Sequence, residues 1–189
     1  MGHDVISIEP FYENILRIHK ASSLENTTNK ITVIQNALSN RRNEIKKLGK
    51  NSYNVGGQGL LAYKHKKFDK NKLKTNKYLV ETILFDDIIP YLPKRNSNKA
   101  ILKIDIEGFE SYAFQYSKNI FKNLDFDLIF MEWGNLGRKS GYEFYLVIDM
   151  VNFLFAQNLR PFDLNNENEL KKDKLSDWPW DIVWKKLGI

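Results

Sequence analysis

Three short apolar runs in this chain end in acidic residues, and that pattern constrains its fold more than any other feature. Val5–Ile8 closes on Glu9-Pro10, Ala100–Ile106 carries Asp105 and runs into Glu107-Gly108, and Leu128–Met131 closes on Glu132. Continuous, β-branched runs of this kind read as strands buried in a sheet. Between the first two acids, Phe11, Ile15, Leu16 and Ile18 recur at helical spacing over Phe11–Ala21. Ile31–Leu38 then returns to β-rich character. Strand, helix, strand in that order is the βαβ unit of a parallel sheet.

The same reading extends along the chain. Asn40–Lys77 is charged and contains Val55-Gly56-Gly57-Gln58-Gly59, so hairpins and loops are expected, with a short strand at Leu60–Tyr63. Tyr78–Leu84 reads as a strand. Phe85–Leu92 reads as a short helix closed by Pro93 and capped by Asp86 or Asp87. Glu110–Asn123 is expected to be one helix. Tyr142–Gln157 is apolar on every side and is expected to be buried all round, and Asp181–Trp184 ends the chain as a strand. The expectation is an α/β fold in one domain spanning residues 1–189.

Composition excludes several classes of function. With no cysteine there is no disulfide framework, thiolate metal site or thiol nucleophile. Its absence fits a reducing compartment; the compartment is otherwise open, with the cytoplasm as default. No apolar run is long enough to span a bilayer, and Met1–Ile8 lacks the form of a signal peptide. The net charge of +6 is concentrated between Arg41 and Lys77, with 12 Lys/Arg against 2 Asp/Glu. That segment has few aromatics to stack bases and no nucleic-acid motif, so it reads as solvated surface and no nucleic-acid partner is expected. His3, His19 and His65 show no ligand spacing, and no metal site is expected.

The acids carry the chemistry. In an open α/β sheet the ligand crevice lies beyond the carboxyl ends of the strands, so Glu9, Asp105 with Glu107, and Glu132 should share one rim. An acid closing the second strand of a nucleotide-binding half holds ribose hydroxyls. Asp105 and Glu107 are two apart, which on a strand places both side chains on one face. Paired acids separate their proton affinities, leaving one as a base, or hold a divalent cation together. Lys103 lies on that face too, and an ion pair with Asp105 is the plainer use of the same spacing.

Lys103-Ile104-Asp105-Ile106-Glu107-Gly108-Phe109-Glu110 resembles the K-I-D-x-E-G-x-E signature of the FkbM family of S-adenosylmethionine-dependent methyltransferases. Other landmarks follow in order: Glu9-Pro10, Asn36-Ala37-Leu38-Ser39, Asn54-Val55-Gly56-Gly57, Leu84-Phe85-Asp86-Asp87 and Phe130-Met131-Glu132. The resemblance covers Val5 to Glu132. It implies a Rossmann-like class I methyltransferase sheet with helices on both faces, and O-methylation of a hydroxyl on a sugar or natural-product-like acceptor. On this resemblance Glu9 binds the ribose of S-adenosylmethionine, and Asn36, Ala37 and Leu38 border its adenine. Asp105 lies near the methionine end and the acceptor, with Glu107 beside it. Asp105, or Glu132, takes the acceptor's proton. Family members begin with a further strand and a glycine-rich D-x-G-x-x-x-G turn, located between the strands that end at Glu9 and Asp105. This sequence starts at the second strand, so the expectation is a truncated domain with two strand edges unpaired. The alternative is a non-catalytic glycan- or ligand-binding module on the same fold, suggested by Trp133, Trp178, Trp180 and Trp184.

Overall fold

The computed structural model describes residues 3–51, 53–54, 56–61, 68–94, 97–165 and 168–188, with Tyr142 described by its backbone alone. Val55, His65 and the end of the expected strand Leu60–Tyr63 lie outside them. The architecture is mixed α/β, in two compact units, residues 1–94 and 95–189.

In the first unit, β1 (Val5–Ile8) and β2 (Ile31–Ile34) pair in parallel, joined by α1 (Tyr12–Leu24). This is the expected βαβ unit. Ile15 is the buried apolar residue of α1, whereas Leu16 is half-exposed. The expected single strand Ile31–Leu38 is two. After Ile34 the chain turns, and β3 (Ala37–Leu38) joins a separate sheet with β4 (Ile45–Lys47) and β5 (Leu79–Ile83), in the order β3-β5-β4. Asn36 causes the break. Its backbone N–H returns to the Ile34 carbonyl, and its side-chain amide donates to the Glu81 carbonyl at 2.9 Å.

Phe11, Ala37, Leu48 and Val80 form a core of this unit, with Leu60 and Tyr78 packed against it. Leu48 bridges to Leu60, the part of the expected strand that is described. Phe85–Tyr91 is a 3-10 helix, and Asp87 secures its start by accepting from the Leu84 N–H at 2.9 Å. Basic residues of the charged segment find acids nearby: Arg42 with Asp87, Lys46 with Glu44, Lys70 with Glu81, and Lys77 with Glu13.

The second unit holds β6 (Lys99–Ile104), β7 (Asp125–Glu132), β8 (Leu159–Asp163) and β9 (Asp181–Lys186) in the order β6-β7-β9-β8. β6 and β7 are parallel, and the other pairings are antiparallel. The expected helix Glu110–Asn123 is broken into α2 (Glu110–Phe114) and α3 (Lys118–Asn123). The Ser117 hydroxyl donates to the Phe114 carbonyl at 2.8 Å, the acceptor that a continuous helix would use. α4 (Gly141–Ala156) is not buried all round, as its composition suggested. Leu146, Val147, Met150, Val151 and Leu154 form one buried stripe, while Tyr145 is exposed.

β8 has no counterpart in the sequence reading, because Pro161 interrupts it. Proline is tolerated there since β8 is an edge strand. Among the described residues, β1 has β2 as its strand neighbour and β6 has β7. Among the same residues no helix is long and apolar enough to cross a membrane.

Candidate functional site

The candidate residues fall into two groups, one in each unit. In the first unit, Glu9 follows β1, and its N–H donates to the Ile34 carbonyl at 3.1 Å. The Asn36 N–H uses the same carbonyl at the same distance, so Glu9 and Asn36 are tied together at the ends of two parallel strands. The Glu9 carboxylate is braced from below: Oε1 accepts from the Phe11 N–H at 2.7 Å and Oε2 from the Asn14 amide at 3.3 Å. A carboxylate has about four acceptor positions, so two remain for a ligand's hydroxyls. Ala37 and Leu38 are buried, and the Asn36 amide is committed to Glu81.

In the second unit, the register Ile104↔Met131 aligns the ends of β6 and β7. Asp105 follows the last residue of β6, and Glu132 is the last residue of β7. Asp105 is exposed and pairs with Lys103 at 3.0 Å, the ion pair its spacing suggested. The period-two argument for Asp105 and Glu107 fails, however, because β6 ends at Ile104. Residues 105–108 form a turn in which Glu107 and Gly108 both have left-handed backbones, φ +58° and +88°. Glu107 is thereby directed toward Glu132 rather than aligned with Asp105 by a pleat. The backbone of Gly108 favours glycine, and a Cβ there would also be tight, 3.3 Å from the Asn135 Cβ.

Asn135 joins the acids. Its amide donates to Glu132 at 3.0 Å and to Glu107 at 3.3 Å. Burial raises the proton affinity of Glu107, and the charges of Glu132 and Asp105 add to this, while the Asn135 bond opposes it. The second Glu132 oxygen accepts from the Trp180 indole N–H at 3.0 Å. Trp180 is half-exposed and lies against Gly134, with the Arg138 guanidinium 4.8 Å from its ring centre. The other three tryptophans are buried, so the sugar-stacking surface suggested by four of them narrows to Trp180.

Sequence reasoning missed Asn135, and it gave Trp180 a place only in the alternative glycan-binding reading. Asn135 is three residues beyond Glu132, and only the turn after β7 brings it back. Gly134→Ala tests this arrangement, since an ideal Cβ would lie 2.2 Å from the Trp180 ring. The indole must swing away and release Glu132, at a cost of about 1–3 kcal/mol. Loss of stability with a shift in tryptophan fluorescence is expected; unchanged fluorescence would contradict the packing. Among the described residues no cluster of three or more His, Asp or Glu side chains is arranged to hold a metal ion.

The sequence matches the family model described as the methyltransferase FkbM domain over residues 1–160. The chain belongs to the FkbM methyltransferase domain family. Among solved structures this FkbM domain is similar to methyltransferase FkbM from Methylobacillus flagellatus KT, with a TM-score of 0.51 and 14% identity. The alignment covers 97% of this chain and 36% of that one, and at this identity it speaks to the fold alone. No curated protein matches. Within the FkbM domain, Glu9 and Asn36 stand together at one set of strand ends, and Asp105, Glu107 and Glu132 at another.

Proposed function

We propose that this FkbM-family chain serves S-adenosylmethionine-dependent O-methylation of a hydroxyl on a sugar or natural-product-like acceptor. The observation that carries this reading is the acid group Asp105, Glu107 and Glu132 beside the ends of two parallel strands, with Asn135 bridging Glu107 and Glu132. Family membership supports the reaction class.

The cofactor fits the first unit's residues. Glu9 is braced by Phe11 and Asn14 and retains acceptor positions for ribose hydroxyls, whereas Ala37 and Leu38 are buried and present little side-chain surface to adenine. When bound, S-adenosylmethionine supplies an electrophilic methyl group on a sulfonium. The protein's task is then alignment of two reactants and removal of one proton. Asp105 is given the proton-accepting role, because its carboxylate is open to an incoming hydroxyl and its bond to exposed Lys103 is weak. The donors on both Glu132 oxygens, from Trp180 and Asn135, assign Glu132 to orientation. Glu107 adds negative potential beside the hydroxyl.

Calorimetry with S-adenosylmethionine tests the division of roles. Glu9→Ala is expected to weaken binding about tenfold or more, the loss of charge-assisted hydrogen bonds. Asp105→Ala should keep most of the affinity and lower S-adenosylhomocysteine release across a panel of methyl glycosides. Equal losses of both quantities in both variants would undo the assignment, and absence of cofactor binding would overturn the reading.

The half-exposed Trp180 favours a second reading, a glycan-binding module on this fold. Glycoside binding that needs Trp180, without any cofactor binding, would select it.

A further inference from the structure

Glu110 lies outside the group of acids given roles above, yet it has the most unusual environment of any carboxylate described. It opens α2 and is fully buried, with 0% exposure. One oxygen accepts from the Ile106 N–H at 2.8 Å. The other, Oε2, has no hydrogen-bond partner among the described residues. A buried, unpaired carboxylate oxygen costs stability, and an apolar side chain of similar volume would avoid that cost. Stability alone is therefore a poor account of this residue.

Its bond to Ile106 gives a better one. β6 ends at Ile104, so the Ile106 N–H lies beyond the strand's own ladder. The next two residues are both left-handed, and for Glu107 that backbone is unfavourable. A conformation of this kind persists where its surroundings over-determine it. The Glu110 carboxylate reaches back four residues and grips the residue between Asp105 and Glu107.

We propose that Glu110 is a positioning residue, which fixes the Asp105–Gly108 turn through the Ile106 N–H and thereby sets the directions of Asp105 and Glu107. The inference rests on the reading of Asp105 and Glu107 as site residues. Burial, with the charges of Glu132 and Asp105, raises its proton affinity, so the group that holds the turn exchanges a proton near neutrality.

The test uses the isotopically labelled chain and the variants E110Q and E110A. In the parent, Glu107 should give the strong intraresidue HN–Hα cross-peak of a positive φ, and the Ile106 amide should lie downfield. E110Q keeps an acceptor oxygen and should preserve both signals and the affinity for S-adenosylmethionine. E110A should lose both and, like Asp105→Ala, lower S-adenosylhomocysteine release about tenfold while keeping most of the cofactor affinity. Retention of both signals in E110A overturns the proposal.

Where E110A does not fold, the pH titration of the Ile106 amide decides. The neighbouring carboxylates are the same in the parent and in E110Q, so the step absent from E110Q belongs to Glu110. Identical titrations in the two proteins overturn the proposal, and loss of the step with the Glu107 cross-peak kept supports it. A parent that binds no S-adenosylmethionine removes the cofactor reading, while the amide signals still decide the role of Glu110.

Discussion

Glu110→Gln gains stability relative to the parent as the pH rises from 5 to 8. Burial lifts the Glu110 carboxyl from its ordinary 4.5 to about 7, with Glu132 and Asp105 adding to the shift and the bond from the Ile106 N–H opposing it. Below pH 4.5 the folded and unfolded chains are both protonated at this group, and the shift costs nothing. Between 4.5 and 7 the unfolded chain gives up the proton while the folded chain keeps it, so stability falls as pH rises. Above 7 the full penalty applies, on the order of 3 kcal/mol. Glutamine never ionises and has no such slope. Urea unfolding at pH 5 and pH 8 measures the difference, and parallel stability curves for the two proteins would show that Glu110 is not buried as described.

Trp133→Ala is expected to cost about 3–5 kcal/mol, a large share of the stability of an ordinary domain. Trp133 follows β7 directly and is almost completely buried. Its ring packs on Trp178 with centroids 4.4 Å apart, and its indole N–H donates to the Leu175 carbonyl at 2.9 Å. The substitution empties that volume and leaves the Leu175 carbonyl without its donor. Because Leu175 and Trp178 lie five and two residues before Trp180, the variant should also loosen the indole that holds Glu132. Trp133→Phe keeps most of the volume and loses the hydrogen bond, so a cost of about 1 kcal/mol is expected. Chemical denaturation of the two variants separates packing from hydrogen bonding, and equal costs would refute the partition.

The order of the elements was legible because apolar periodicity is a local signal. Val5–Ile8, Phe11–Ala21 and Ile31–Ile34 each carry the apolar pattern of their element, and the βαβ reading follows from their spacing, although Val5–Ile8 is only partly covered and holds no fully buried residue. The breaks were not legible. Asn36 and Ser117 end a strand and a helix through hydrogen bonds to the Glu81 and Phe114 carbonyls, and a side chain's choice of acceptor depends on where the chain goes next. The exposed side of α4 was hidden for a related reason. Its aromatic residues are apolar everywhere, and only packing decided that Leu146, Val147, Met150, Val151 and Leu154 are the buried stripe.

For the candidate site, the sequence by itself determined which acids stand at strand ends and which family they belong to. Glu9, Asp105 and Glu132 each close an apolar run, and an eight-residue signature surrounds Asp105. Tertiary structure alone decided how those acids are held. Left-handed backbones at Glu107 and Gly108 replaced the strand alternation, Asn135 bridged two carboxylates, and Trp180 reached Glu132 from 48 positions away. The physical reason is range. Hydrophobic periodicity is written in neighbouring residues, whereas a hydrogen bond between distant side chains exists only once strand register has set its geometry.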